Sequence, residues 1–361
     1  MIYFISLVSI FFSLLLLCKV IKYAYNHNIF DNHDERKIHQ GNIPRVGGIA
    51  FVPAAIISFI FALIILYLRD EAFDLGIHHT FIHDSVIILI SILIIYFFGK
   101  YDDLKGLRYR NKFTYQIFTG LMLCVAGIYM KDIHGILALY HIPPVFGCFV
   151  AVFVMVLSIN AINFIDGIDG LSSGIAIISF IYYSIILIIE KNDFWLLSIS
   201  FLCAILPFFY FNVFGSKRNK TKAFMGDTGS TVLGLVLFLL AVVVNENPNS
   251  ELLYDNPLVL AYAPLLLPFY DVISVVYQRL LNAKNIFKAD DNHFHHKLLK
   301  LGLSQPAALI VELLIFVFVI FSTLILVKYI NINVVIGSSL LIWIWVNLLL
   351  TRRIKSNKKI K

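Results

Sequence analysis

The sequence predicts an all-α polytopic membrane protein with about 11 transmembrane helices, its N-terminus outside and its C-terminus in the cytoplasm. Hydrophobic residues make up 60% of the chain and charged residues only 14%, with a mean hydropathy of +0.85. This composition excludes an ordinary soluble domain. We predict one multi-span unit over residues 1–351, followed by a basic cytoplasmic tail over 352–361.

Eleven apolar runs are candidate membrane spans, because each approaches the roughly 20 residues that a helix needs to cross a bilayer. The third run is the shortest, so its predicted ends are the least well defined. In chain order, the predicted spans cover residues 2–21, 46–68, 85–99, 113–130, 144–162, 171–189, 195–214, 228–245, 258–277, 307–328 and 333–350.

The distribution of basic residues sets the predicted orientation. Of the 29 Lys and Arg residues, 25 fall in the first loop, in every second loop after it and in the tail. Basic residues accumulate on the cytoplasmic side of membrane proteins, so we expect these loops to be cytoplasmic. We therefore attribute the net charge of +7 to the basic residues that orient the protein in the membrane, and no nucleic-acid partner is predicted. The four cysteines lie in apolar runs without CxxC spacing, which argues against a disulfide framework or a thiolate metal site.

The segment NAINFIDGIDGLSSG, residues 160–174, places two acids and two amides between long apolar runs. Asp166 and Asp169 are costly near a bilayer unless they line a polar cavity or hold a charged ligand. Glycines in the same segment allow the backbone to turn tightly and approach a ligand closely. The segment is therefore a candidate active site within a membrane protein.

Two further acidic motifs face the same predicted side. Asp102 and Asp103 in YDDLKG repel each other unless a cation or proton offsets their charge, which favours a Mg²⁺ ligand or a base; a solvated turn is the alternative. In FMGDTGS, the chain enters a span, where free backbone N–H groups suit a phosphate and Asp227 suits the metal of that phosphate; a helix cap is the alternative. Phe224 is a candidate for stacking on a base or anchoring at the interface.

Basic motifs complete this face. RKIHQGNIPR offers Lys37 and His39 as phosphate contacts, although its charge also follows from the orientation rule. DDNHFHHKLLKLG contains His293, His295 and His296, and the neighbouring lysines indicate an anionic ligand rather than zinc. Asp271, inside a predicted span, is either a functional acid or one half of a structural ion pair.

In their order and side of the membrane, these motifs resemble the polyprenyl-phosphate N-acetylhexosaminyl-1-phosphate transferases, over about residues 31–302. The resemblance implies transfer of a sugar phosphate from a UDP-N-acetylhexosamine to undecaprenyl phosphate, giving a lipid diphosphate sugar and UMP. It also implies Mg²⁺, with Mn²⁺ as the alternative, a bilayer setting at the bacterial inner membrane, and a site on its cytoplasmic face. A homodimer is left open.

The resemblance also implies residue roles. Asn163 and Asp227 would hold the metal, and Asp102 or Asp103 would act as base at the lipid phosphate, so that Asp102, Asp103 and Asp227 are the catalytic candidates. The implied substrate contacts are Asn163, Asp166, Asp169, Asn212, Phe224, His293, His295 and His296. The chain departs from the family pattern at His33, where Pro is common, and at Asp291, where Arg is common.

The HxHH and RKxHxGxIPRxGG patterns favour UDP-GlcNAc as the donor. UDP-GalNAc, UDP-FucNAc, UDP-QuiNAc and the MurNAc-pentapeptide donor remain alternatives. From other classes, we weigh a secondary transporter and a non-catalytic membrane scaffold. A transporter places its acids near the bilayer centre and often in paired repeats, whereas these acids crowd one face and no repeat is evident.

Overall fold

The computed structural model describes residues 2–27, 29–30, 43–69, 77–247, 249–250, 254, 256–283, 285 and 292–360. Within these residues the chain is helical, with two isolated bridges and no β-strand. The helices are α1 (Ile2–Asn26), α2 (Gly47–Arg69), α3 (Ile77–Lys105), α4 (Tyr109–Val125), a 3₁₀ turn (Ile136–Ala138), α5 (Pro144–Ile165), α6 (Leu171–Ile189), α7 (Trp195–Val213), α8 (Gly226–Asn245), α9 (Pro257–Leu281), α10 (Phe294–Lys300), α11 (Gln305–Val327) and α12 (Ile332–Ile360).

Ten helices in the described ranges are long and apolar enough to cross a membrane. The all-α, multi-span class is therefore confirmed, but the ten differ from the eleven spans predicted. The predicted span 113–130 corresponds to α4, which has 17 residues, begins with the polar sequence YRNK and ends before Gly127. Gly127 has a φ of +86°, a left-handed conformation that favours glycine and terminates the helix.

Helix α3 is much longer than the predicted span 85–99. It continues to Lys105, so Asp102 and Asp103 lie in its last turns and not in a loop after it. Hydropathy underestimates this helix because charged residues can continue a helix beyond the apolar core. Gly106, at φ +73°, ends it. Similarly, the predicted basic tail continues α12 as far as Ile360.

Helix α8 is the centre of the bundle and is almost entirely buried, with α2, α3, α5, α6 and α9 packed around it. Close approach depends on small residues, as is typical of membrane helix packing. A Cβ on Gly48 would lie 2.1 Å from the backbone N of Gly229, and one on Gly99 would lie 2.8 Å from the Cα of Thr228. These contacts hold α2 and α3 directly against the first turns of α8.

Gly48→Ala is therefore expected to lower the thermal unfolding midpoint in detergent, because the new methyl group meets backbone. Overpacking of this kind costs about 1–3 kcal/mol or more. Gly337→Ala is the matched control, since a Cβ there has no atom within 4 Å and alanine favours a helix. Equal midpoints for the two variants would show that α2 can move away from α8 at no cost.

A buried lysine anchors the short helix α10 to two neighbouring helices. Lys297 is 1% exposed, and its Nζ donates to Asn347 Oδ1 of α12 at 2.7 Å and to Gln278 Oε1 of α9 at 3.3 Å. The sequence suggested an anionic ligand near Lys297, but this ammonium group is engaged within the protein. Its role is to fix α10, and hence the histidine motif, against α9 and α12.

Candidate active site

The acidic pair at the end of α3, Asp102 and Asp103, lies in two different environments. Asp103 Oδ1 accepts from the backbone N of Asp227 at 2.7 Å, and Oδ2 accepts from the N and Oγ1 of Thr228 at 2.9 and 2.5 Å. These are the free amides of the first turn of α8, so Asp103 caps that helix from outside it. Gly226, at φ +76°, allows the approach; a Cβ there would lie 2.6 Å from Asp103 Oδ2.

Asp102 instead faces a lysine and a second carboxylate. Its Oδ1 accepts from the backbone N of Leu107 at 2.6 Å, and its Oδ2 forms an ion pair with Lys112 Nζ. The same ammonium group contacts Asp227 Oδ2 at 2.7 Å. One cation thus bridges two carboxylates that would otherwise repel each other.

Asn163, near the C-terminal end of α5, holds the other side of Asp227. Its Nδ2 donates to Asp227 Oδ1 at 2.9 Å and to Ser230 Oγ at 2.8 Å. One turn earlier, Asn160 donates to Gln116 of α4 at 2.9 Å. The ends of α3 and α5 and the beginnings of α4 and α8 therefore meet at a single polar cluster, which we call the Lys112 cluster (Asp102, Asp103, Lys112, Asn163 and Asp227).

The DGIDG turn after α5, residues 166–170, forms the wall of the site next to the Lys112 cluster. Burial raises the pKa of Asp166 to about 7; Arg45 opposes this rise, and the neighbouring carboxylates add to it. Asp169 pairs with Lys222 Nζ at 2.7 Å. Asn212 accepts from the N of Gly170 at 2.6 Å and donates to the O of Ala223 at 2.9 Å, so its side-chain amide joins the DGIDG turn to the segment before α8.

The histidine motif packs onto this turn. A Cβ on Gly167 would lie 2.1 Å from His295 Nε2, so the DGIDG turn requires glycine there. His295 is fully buried, burial lowers its pKa well below the usual value, and neither ring nitrogen has a hydrogen-bond partner among the described residues. His293 stacks almost parallel to His295 with 5.8 Å between ring centroids, and His296 lies 4.3 Å from His295.

The loop before α2 reaches the same region through its backbone. Gly47 N and Gly48 N donate to the carbonyls of Phe224 and Met225, both at 2.9 Å, and Phe224 N donates to Pro44 O at 2.9 Å. These hydrogen bonds place Arg45 beside Phe224, three residues before Asp227. Lys37 and His39 lie outside the described residues.

The structure adds one residue that sequence reasoning did not select. Lys112 was counted only as part of the basic bias of its loop, yet it contacts both Asp102 and Asp227. A signal was present: the lysine lies in the first turn of the helix that follows the paired-acid motif, where its charge would offset theirs. The roles assigned to the other site residues stay predictions, although the structure brings their motifs together.

The Lys112 cluster fits a hard cation that is held partly by substrate. Its carboxylate and amide groups are the oxygen donors that Mg²⁺ prefers, and Mg²⁺ sites often use one or two protein ligands with substrate phosphates. Within the described part of the chain, no group of three or more His, Cys, Asp or Glu side chains is arranged to hold a metal ion. A Mg²⁺ ion bound here would take its remaining ligands from substrate phosphates and water.

Comparison with known proteins finds a match for the centre of the bundle. Residues 85–245 match the model described as glycosyl transferase family 4. This region is similar to glycosyl transferase family 4 proteins. It contains the whole Lys112 cluster and the DGIDG turn.

The match to the family 4 model is accompanied by similarity to named bacterial proteins over most of the chain. Three relatives carry the name undecaprenyl-phosphate alpha-N-acetylglucosaminyl 1-phosphate transferase. The Escherichia coli (strain K12) protein is 28% identical over 309 residues, covering 84% of this chain and 78% of the relative. The Yersinia pestis protein is 28% identical with 84% and 79% coverage, and the Pasteurella multocida (strain Pm70) protein is 26% identical with 79% and 75% coverage.

Proposed function

We propose that this membrane protein transfers N-acetylglucosamine-1-phosphate from UDP-GlcNAc to undecaprenyl phosphate, giving undecaprenyl-diphosphate-GlcNAc and UMP. The observation that carries the proposal is the Lys112 cluster, in which one cation joins the acids of two sequence-distant motifs. Joining two anionic phosphates needs this kind of preorganised charge. The names of the relatives support GlcNAc and undecaprenyl phosphate as the substrates.

In the proposed reaction, an oxygen of the lipid phosphate forms a bond to the β-phosphorus of the UDP-sugar. The bond from that phosphorus to the α,β-bridging oxygen breaks, and UMP leaves with the electron pair. We assign to Asp102 the proton of the lipid phosphate, because its Oδ2 faces Lys112, whereas Asp103 is fully occupied in capping α8. Lys112 would neutralise charge as the two phosphates approach.

Direct attack is favoured over a covalent aspartyl-phosphate. Each acid of the Lys112 cluster is already held by donors or by Lys112, and Asp102 has a side chain only 4% exposed. A carboxylate held at both oxygens is not free to move into line with a phosphorus atom, whereas accepting a proton needs only a hydrogen-bond contact. When bound, Mg²⁺ would neutralise the donor diphosphate, with Asn163 and Asp227 as its protein ligands.

The substrates define where the rest of the site must lie. Asp166, Asp169 and the histidine motif would line the sugar-nucleotide side, and the apolar helices would border the prenyl chain. We place the site on the cytoplasmic face of a bacterial inner membrane, since the basic loops concentrate on that side. The reaction would begin assembly of a cell-envelope polysaccharide, such as lipopolysaccharide.

The proposal is tested with purified protein, Mg²⁺, undecaprenyl phosphate and a panel of radiolabelled UDP-sugars. We expect labelled lipid and UMP with UDP-GlcNAc, and much less product with UDP-GalNAc, UDP-FucNAc, UDP-QuiNAc or the MurNAc-pentapeptide donor. A higher rate with another donor would replace GlcNAc but keep the reaction. No labelled lipid from any donor would reject the reaction itself.

A further inference from the structure

Asp271 is a buried acid that the proposed reaction does not use, and it holds the first histidine of the HFHH motif. It lies in α9 and is 1% exposed. Its Oδ2 is 2.7 Å from His293 Nδ1, and its Oδ1 accepts from the backbone N of Phe294 at 3.1 Å. Both carboxylate oxygens are therefore committed to the first turn of α10.

This contact determines which nitrogen of His293 is available. An ionised carboxylate can only accept, so the hydrogen bond requires a proton on Nδ1 and leaves Nε2 as the nitrogen free to meet a ligand. The ring is also fixed by its neighbours: Phe164 lies 5.7 Å away and His295 lies 5.8 Å away, between ring centroids. Phe164 follows Asn163 directly, so His293 packs against a residue that adjoins the Lys112 cluster in sequence.

The arrangement differs from a simple structural ion pair. Asp271 contacts a side chain of a candidate site motif, and that side chain is almost buried at 6% exposure. A second buried acid, Glu312 of α11, interacts electrostatically with Asp271, and its Oε2 has no hydrogen-bond partner in the described structure. Although this second acid lies nearby, both donors at the start of α10 converge on Asp271.

We propose that Asp271 is a positioning residue for sugar-phosphate transfer. It keeps the proton on Nδ1 of His293 and fixes the ring so that Nε2 faces the donor phosphate or sugar. The identity of the ligand that His293 meets rests on the proposed function, whereas the contact between Asp271 and His293 does not. Partners of this kind orient a histidine and fix its tautomer, and their loss typically costs about 10- to 100-fold in function at metal sites.

The test is a double-mutant cycle on transfer activity with Asp271→Asn and His293→Gln. The amide oxygen of asparagine can accept from only one of the two donors, so we expect Asp271→Asn to lower kcat about 10- to 100-fold. In the His293→Gln background it should add almost nothing, because the group that it positions is already absent. Asp271→Glu should restore part of the activity, since it keeps both acceptors.

The matched control is Asp132→Asn. Asp132 Oδ2 also pairs with a histidine, His141 Nδ1, at 2.8 Å, but it lies before α5, whose 22 residues separate it from the site by about 33 Å at 1.5 Å per residue. This variant should keep the parent rate. Multiplied losses in the double variant, or a parent-like Asp271→Asn, would overturn the proposal.

A second readout separates this inference from the proposed function. Two-dimensional ¹⁵N NMR of histidine-labelled protein reports which ring nitrogen carries a proton, and His293→Gln assigns the signal. We expect a protonated Nδ1 in the parent and a shift of the proton toward Nε2 in Asp271→Asn. If no donor is transferred but this shift occurs, the proposed function fails and the positioning contact stands; an unprotonated Nδ1 in the parent overturns the positioning itself.

Discussion

Asp227→Asn is expected to reduce sugar-phosphate transfer about 10²- to 10³-fold, the range for removing a single preorganised electrostatic group. The change is isosteric, and the bond from Asn163 Nδ2 to the remaining oxygen can persist, so the fold should be retained. What is lost is the negative charge that Lys112 contacts at 2.7 Å and that we assign to the metal. The Mg²⁺ concentration for half-maximal activity should therefore rise, measured by titrating Mg²⁺ in the transfer assay.

Asp84→Asn provides the control for that variant. Asp84 lies near the opposite end of α3, 18 residues before Asp102, and pairs with His83 at 3.1 Å. Removing its charge should change neither the rate nor the Mg²⁺ requirement. An Asp227→Asn protein with unchanged Mg²⁺ dependence would remove Asp227 from the metal site.

Lys112→Met is expected to lower the rate about 10²-fold while shifting the Mg²⁺ requirement in the opposite direction. Without the ammonium group, Asp102 and Asp227 face each other with no cation between them, and they should attract a divalent cation more strongly. We expect the half-maximal Mg²⁺ concentration to fall about tenfold, equivalent to about 1.4 kcal/mol. Lys112→Arg, which keeps the positive charge, should lie between Lys112→Met and the parent.

Opposite changes in the Mg²⁺ requirement of Asp227→Asn and Lys112→Met would distinguish a cation position shared by lysine and metal from a general loss of structure. Lys355→Met removes one exposed positive charge from α12, far along the sequence from the acids, and should leave both parameters unchanged. If Lys112→Met raises the Mg²⁺ requirement as Asp227→Asn does, then the lysine and the metal do not compete for the same carboxylates.

The multi-span helical class could be predicted because apolar runs of about 20 residues are strongly diagnostic of membrane helices. The ends of α3 and α4 could not. Asp102 and Asp103 continue α3 because their charges are met by Lys112 and by the first turn of α8, contacts between segments far apart in sequence. Hydropathy reads only local composition, so it ended that span too early.

The site followed the same rule. Motif chemistry selected Asp102, Asp103 and Asp227, and the family resemblance added Asn163. The structure brings all four together. The pattern could not separate Asp103, which caps α8, from Asp102, which pairs with Lys112. Nor could it show that Lys297 is buried against Asn347, because a lysine beside histidines has the same sequence signature in either role.

The central claim is that the sugar and its phosphate move together, and the fate of the β-phosphorus tests it most directly. Purified protein is given Mg²⁺, undecaprenyl phosphate and UDP-GlcNAc carrying ³²P only at the β-phosphorus. We predict that the label enters the lipid product and that the released nucleotide is unlabelled UMP. Label retained in released UDP would mean transfer of the sugar alone, and label remaining in intact UDP-GlcNAc would mean no transfer; either result would contradict the account.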